Sequence, residues 1–190
     1  MSIIKYFNLA KDKLFPICRS ITGKGIAKTL KIINKEFPKL KIYHIESGKK
    51  VFDWKVPLQW EIDDAYVLDK KNKKIIDFKK NNLHIVGYSY PVNKKLKLNN
   101  LLKIIHTLPK QPEAIPYRTS YYKKYSGFCT THKQKEELKK NYKKNDPFKV
   151  LIKSKLKKGY LSYGELIIKG KSKQEILIST YICHPSMANN

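Results

Sequence analysis

The sequence predicts an α/β fold interrupted by an inserted α+β module, and three features of its 190 residues lead there. Two amphipathic helices and a short strand open the chain, an order compatible with an α/β sheet. Residues 56–145 then change to hairpins and short strands with brief helical stretches. Strand character returns after Pro147 and culminates in "EILISTYIC", the most apolar run of the chain. A continuous apolar strand belongs in the middle of a sheet, covered on both faces.

Each element has its own local signal. In "MSIIKYFNLAKDKLF", Ile3, Phe7, Ala10 and Leu14 recur at helical spacing. The stretch is too short and too interrupted by charge for a signal peptide. "TGKGIAKTLKIINKEF" sets Ile26, Leu30, Ile33 and Phe37 on one helical face, with Thr22 as the expected N-cap and Pro38 as the stop. "KIYHIES" reads as a strand, and Gly48 marks a turn. "DAYVLDKKNKKIIDF" is two strands around a polar turn, hence a hairpin. "LHIVGYSYPV" reads as a strand ended by Pro91, and "LNNLLKIIHTL" as a helix through Leu98, Leu101, Leu102 and Ile105. Thr131 and Gln134 have the spacing of a capping box. "FKVLIKSKL" and "YLSYGELIIKG" are strands flanking a Lys-Lys-Gly turn. Glu175–Cys183 is expected as a buried strand, which Pro185 ends near His184 because proline cannot donate to a ladder. The expected division is 1–55 and 146–190 as two parts of one α/β domain, with 56–145 inserted between them. A sheet that stops on its central strand, with no helix after it, is incomplete.

Composition removes several function classes. With 41% hydrophobic and 12% aromatic residues the chain can build a core and is not disordered by composition. It lacks the run of about 18 apolar residues that a membrane span needs. Cys18, Cys129 and Cys183 are odd in number and far apart, which argues against a disulfide framework or a cysteine zinc site. The expected setting is cytoplasmic, without a membrane partner. The formal net charge of +26 suggests nucleic acid, yet of 41 basic residues only Arg19 and Arg118 are arginine. Arginine is the side chain suited to bidentate recognition of phosphate and guanine. The lysines are spread along the whole chain, as a lysine-biased surface would have them, so no specific nucleic-acid partner is expected.

"FPICRSITGKGIAKTL" tempts one toward a phosphate-binding loop, but no register supplies Gly, four residues, then Gly-Lys-Ser/Thr. It reads as a tight glycine turn feeding a helix. Together with "VFDWKVPLQWEIDDAY", "PYRTSYY", "GFC" and "LISTYICHPSMANN", however, it carries a resemblance. The chain resembles the bacterial aminopeptidase-like proteins often encoded with polysaccharide-biosynthesis genes. These contain an inserted domain of unknown function and are related to zinc aminopeptidases of the phosphorylase/hydrolase-like fold. The resemblance runs over essentially the whole chain and covers the N-terminal half of a typical member. It implies a zinc-exopeptidase sheet, incomplete here, with residues 56–145 as the insert.

The resemblance also implies a metal site. His184 matches the first zinc-ligand histidine, at the end of a central strand. Asn190 stands where members commonly carry an aspartate bridging two metals, and Ser186 where more distant zinc aminopeptidases have another. A bridging carboxylate offsets charge between paired cations, whereas an asparagine carbonyl is neutral and monodentate. The general-base glutamate and the later ligands would lie beyond Asn190, so no catalytic residue is assigned within the chain. His44, His84, His106 and His132 have no ligand spacing and read as structural. In "PYRTSYYKKY", Tyr117, Tyr121 and Tyr122 read first as packing residues. The alternative has Arg118, Tyr121 and Tyr122 facing a cleft and holding a substrate carboxylate or sugar.

The function expected is that of the N-terminal portion of a zinc-dependent aminopeptidase-like hydrolase, acting on a small peptide-like or amide substrate. A scaffold that keeps the fold without the chemistry, and a lysine-rich polyanion binder, are the alternatives. Dispersed lysines release counterions without reading bases, so DNA binding is expected to be weak, indifferent to sequence and steeply lost with salt. Titration of two unrelated duplexes across a salt series checks this; tight, discriminating binding at physiological salt would contradict it.

Overall fold

A computed structural model describes residues 3–187 as a mixed α/β structure of two compact units. Residues 1–59 and 157–190 form the first unit, and Trp60–Leu156 the second. The sequence predicts an inserted module at 56–145; the compact units divide at 59/60 and 156/157. Among the described residues no helix is long and apolar enough to cross a membrane.

The first unit opens with helix α1 (Ile3–Leu9), which continues as a π-helical turn over Ala10–Leu14. Helix α2 (Lys24–Glu36) follows and buries Ile26, Thr29 and Leu30. Its N-cap is Gly23, not Thr22, because the backbone there takes φ 95°, which glycine adopts without steric cost. Thr22 is buried instead, and its backbone bridges Leu161. Gly25, inside the first turn of α2, lies so close to the Cys18 carbonyl that a β-carbon would overlap it. Strand β1 (Lys41–Glu46) is followed by a small hairpin, β2 (Lys50–Val51) and β3 (Trp54–Lys55).

The second unit carries the hairpin expected from its polar turn, β4 (Gln59–Leu68) with antiparallel β5 (Lys74–Asp77). Asp69 organises the turn: one carboxylate oxygen accepts from the Lys71 and Lys73 amides at 2.8 and 2.9 Å, and the other from the Tyr142 hydroxyl at 2.8 Å. "LHIVGYSYPV" does not form the expected strand. It holds a 3-10 turn (Asn82–His84) and then irregular backbone in which Tyr88 sits at φ 63°. A bulky residue there is strained. Packing holds it: Tyr88 is 1% exposed, stacked on Trp60 at 5.9 Å and met edge-on by Tyr121 at 4.9 Å. Ser89 beside it is a junction, its carbonyl accepting from Trp60 Nε1 and Ser154 Oγ and its hydroxyl donating to the Val86 carbonyl.

Strand β6 (Val92–Lys97), helix α3 (Leu98–Lys103), the short parallel pair β7 (Ile105–His106) and β8 (Phe128–Cys129), and helix α4 (His132–Asn141) complete this unit with β9 (Pro147–Lys157). The capping box at Thr131 and Gln134 is formed. The sheet order is β5-β4-β9-β6, and its core includes Ala65, Val67, Ile76, Phe148, Val150 and Ile152. His84 is buried against this core and donates from Nδ1 to the Cys129 carbonyl at 2.7 Å.

Strand β10 (Tyr160–Glu165) returns to the first unit and pairs antiparallel with β1, placing Tyr43 opposite Tyr163. Beyond Glu165 the expected strand at Glu175–Cys183 is absent, and the backbone carries no ladder until the 3-10 turn at Pro185–Met187. A strand is defined by a neighbour, and no described residue pairs with this segment.

Two outcomes follow from these contacts. Gly25→Ala forces a β-carbon against backbone that cannot retreat cheaply, so a loss of about 1–3 kcal/mol is expected in urea melts. Burial holds the His84 imidazole below its ordinary value of 6.5, against smaller upward effects of the Cys129 carbonyl and Asp77. The unfolded chain therefore binds this proton more readily, so the stability that the neutral ring contributes is complete above 6.5 and falls as pH drops below it. Melts from pH 7.5 to 5 are expected to show a shallower decline in His84→Gln than in the parent; identical slopes would contradict this.

Candidate functional site

His184 closes the long apolar segment of the first unit. Its position is set by Arg19, whose Nε donates to the His184 carbonyl at 3.0 Å while Nη1 donates to the Leu14 carbonyl at 2.6 Å. The His184 ring meets Tyr181 edge-on at 4.9 Å. Pro185 behind it is buried, and Ser186 takes φ 51° in the turn that follows. Asn190, the second expected ligand, lies outside the described residues. Among the described residues no group of three or more His, Cys, Asp or Glu side chains gathers as a metal site would require. The described donors therefore do not fit a zinc centre, which takes three or four protein ligands.

Arg19 itself was not singled out from the sequence as a site residue. It is 3% exposed, and burial pulls its guanidinium below the ordinary arginine range, with Cys18 and Cys183 acting in the opposite direction. Nη2 is buried with no hydrogen-bond partner among the described residues. Burial pushes the Cys18 thiol up to about 12, which favours its protonated form, although part of the residue's surface still meets solvent. One signal could have marked Arg19: it is one of only two arginines in a chain that uses lysine everywhere else. Lysine offers a point charge, whereas two carbonyls approached from fixed directions suit a planar fork.

The other candidates belong to the second unit. Arg118 is exposed, and its backbone carbonyl accepts from the Gly87 amide at 2.8 Å. The Tyr121 hydroxyl lies 3.3 Å from that of Tyr117, and its ring packs on Tyr88. Tyr122 touches Tyr121 edge-on at 6.0 Å and is 75% exposed. Tyr121 and Tyr122 are thus neighbours, Tyr121 within the aromatic cluster and Tyr122 at its surface. A pair not expected from sequence lies close to this loop: His106 Nε2 and the Tyr125 hydroxyl are 2.7 Å apart. Burial lowers the His106 pKa, and Arg118 and Lys135 lower it further. Burial likewise raises Tyr125. The neutral ring and the protonated phenol are the forms these surroundings favour, a positioned hydrogen bond rather than an ion pair. His44 bonds Ser162 at 2.8 Å and His132 bonds Thr107 at 3.1 Å.

Comparison with known proteins places these features in context. A family described as "Domain of unknown function (DUF4910)" matches residues 7–190. A relative from Clostridium acetobutylicum, provisionally named a polysaccharide biosynthesis protein with aminopeptidase-like domain, is 50% identical over 184 residues. That match covers 97% of this chain and 41% of the relative. A crystal structure of a protein from Clostridium acetobutylicum, provisionally named a peptidase, aligns with a TM-score of 0.87 at 48% identity. It covers 98% of this chain and 42% of that one. The chain therefore spans less than half the length of both proteins.

Proposed function

The chain belongs to the DUF4910 family, and from that premise we propose that it is one portion of an aminopeptidase-like hydrolase. The bond cleaved in the complete protein is an amide or peptide bond of a small substrate, in a setting linked to polysaccharide biosynthesis. The observation that carries this reading is the 50% identity sustained over 97% of the chain with a relative named for an aminopeptidase-like domain. His184 supports it. It follows an apolar segment, and Arg19 fixes its backbone, which is how a ligand at the end of a core element would be positioned.

Zinc, when bound in such a site, supplies a Lewis acid and an activated water. The described donors do not amount to a zinc site, so this portion contributes one ligand and its support, and the remaining ligands come from outside it. Arg118, Tyr121 and Tyr122 are proposed as substrate contacts, with exposed Arg118 offering a carboxylate a fork of donors. One feature favours a second reading, a scaffold without catalysis: Asn190 stands where the resemblance places the bridging aspartate.

Metal analysis separates the two. A protein of the relatives' full length is expected to bind metal, and His184→Ala in it to weaken binding by at least about tenfold, since even residues behind the ligands cost about 10–100-fold. Asn190→Asp is expected to raise the metal content. A complete protein that binds no metal and cleaves no aminoacyl amide would leave the scaffold reading standing.

A further inference from the structure

Beside the parallel pair β7–β8 of the second unit, three segments bring polar side chains together, each held by its own backbone. His106 ends β7 in register with Cys129, and its carbonyl accepts from the Thr130 amide at 3.0 Å. Tyr125 precedes β8, and its carbonyl accepts from the Tyr90 amide at 3.0 Å. Arg118 is seated through its carbonyl on the Gly87 amide at 2.8 Å. The Tyr125 ring lies over Gly127, where a β-carbon would meet it at 2.7 Å, and its hydroxyl reaches His106 Nε2 at 2.7 Å. A side chain at residue 127 would therefore displace the phenol from the imidazole.

The charge around this hydrogen bond is one-sided. Arg118 and Lys135 join burial in acting against an imidazolium at His106. Lys135 reaches the strand directly, donating from Nζ to the Ile105 carbonyl at 2.8 Å. Burial favours the neutral forms of Tyr125 and Cys129. Glu136, next to Lys135 on α4, pairs with Lys139 at 2.6 Å. Arg118 is exposed and forms no ion pair among the described residues. A guanidinium fork close to a hydroxyl that can donate, in a positive field, is suited to an oxyanion.

We propose that Arg118, Tyr125 and His106 form an oxyanion-binding site of the second unit, taking the carboxylate or phosphate group of a small-molecule ligand. Arg118 offers its fork to two oxygens of the ligand. The anion selects the tautomer in which His106 Nε2–H donates to the phenol oxygen, which frees the Tyr125 O–H to donate to the anion. The inference rests on the reading of Arg118 as a ligand contact, and adds to it the group bound and two residues. It rests on neither metal nor hydrolysis.

Proton NMR of the five histidine rings in the 190-residue chain tests this, with His106→Gln assigning the resonance. The rings are titrated with pH in sodium chloride, then at equal ionic strength with acetate or sulfate replacing part of the chloride. At least one of these anions is expected to raise the His106 pKa by about 0.5 or more, because a nearby negative charge stabilises the imidazolium. Acetate acting alone assigns a carboxylate ligand, and sulfate acting alone a phosphate-like one. In Arg118→Gln the rise is expected to vanish. In Tyr125→Phe the anion is expected to bind about tenfold more weakly, having lost a hydrogen bond to a charged group. No rise with either anion overturns the proposal. So does an equal rise at all five histidines, or one that survives Arg118→Gln, since a lysine-rich surface alone would give those. The titration needs no turnover, so a specific rise in a protein that cleaves no amide sinks the hydrolase reading alone. Cleavage without the rise sinks this inference alone.

Discussion

Arg19 ties together parts of the first unit that are far apart in sequence. Its Nε reaches a carbonyl 165 residues away, and its Nη1 a carbonyl five residues back, so one planar group fixes the exit from the opening helical turn and the end of the apolar segment. Carbonyls in two fixed directions hold the planar guanidinium in one orientation through Nε and Nη1, while Nη2 is buried with no hydrogen-bond partner among the described residues. The glycine-containing turn that follows is part of the same constraint. Gly25 lets helix α2 approach the Cys18 carbonyl, and Gly23 lets the chain reverse into that helix. The position of His184, and with it any site built there, depends on this knot.

The second unit is held by a different device. A strained Tyr88 and the neighbouring Ser89 sit where the β4 and β9 side chains Trp60 and Ser154 both donate to one carbonyl. The strain at Tyr88 is tolerated because stacking on Trp60 and the edge of Tyr121 over-determine the position. The loop carrying Arg118, Tyr121 and Tyr122 is thus connected to the sheet through aromatic packing, with Tyr122 at the surface. The His106–Tyr125 hydrogen bond adds a polar group near the same loop.

Charge has a lesser part than its size suggests. Many of the lysines are exposed and their ion pairs lie on the surface, where a pair contributes little to stability. The two arginines have contrasting surroundings. Arg19 is buried and committed to backbone carbonyls, while Arg118 is exposed. In a chain so biased toward lysine, the Arg19 position calls for a planar, directional donor rather than charge alone.

What the sequence determined by itself is what local chemistry can settle. Helix α2 follows from the spacing of Ile26 and Leu30, the β4–β5 hairpin from its polar turn, and the N-terminus of α4 from Thr131 and Gln134, because each rests on residues within a turn or two of one another. The aminopeptidase-like kinship was likewise legible, carried by motifs in order along the chain. Tertiary structure decided the rest. "LHIVGYSYPV" has strand composition but folds into a 3-10 turn and a strained corner, since packing on Trp60 and Tyr121 outweighs propensity. Thr22 lost the capping position to Gly23 because only glycine takes that φ freely. The place of His184 rests on an arginine 165 residues distant, which no local window reveals. The most apolar run of the chain forms no strand among the described residues, because hydrophobicity can mark a segment for burial but only a neighbouring strand can supply its hydrogen bonds.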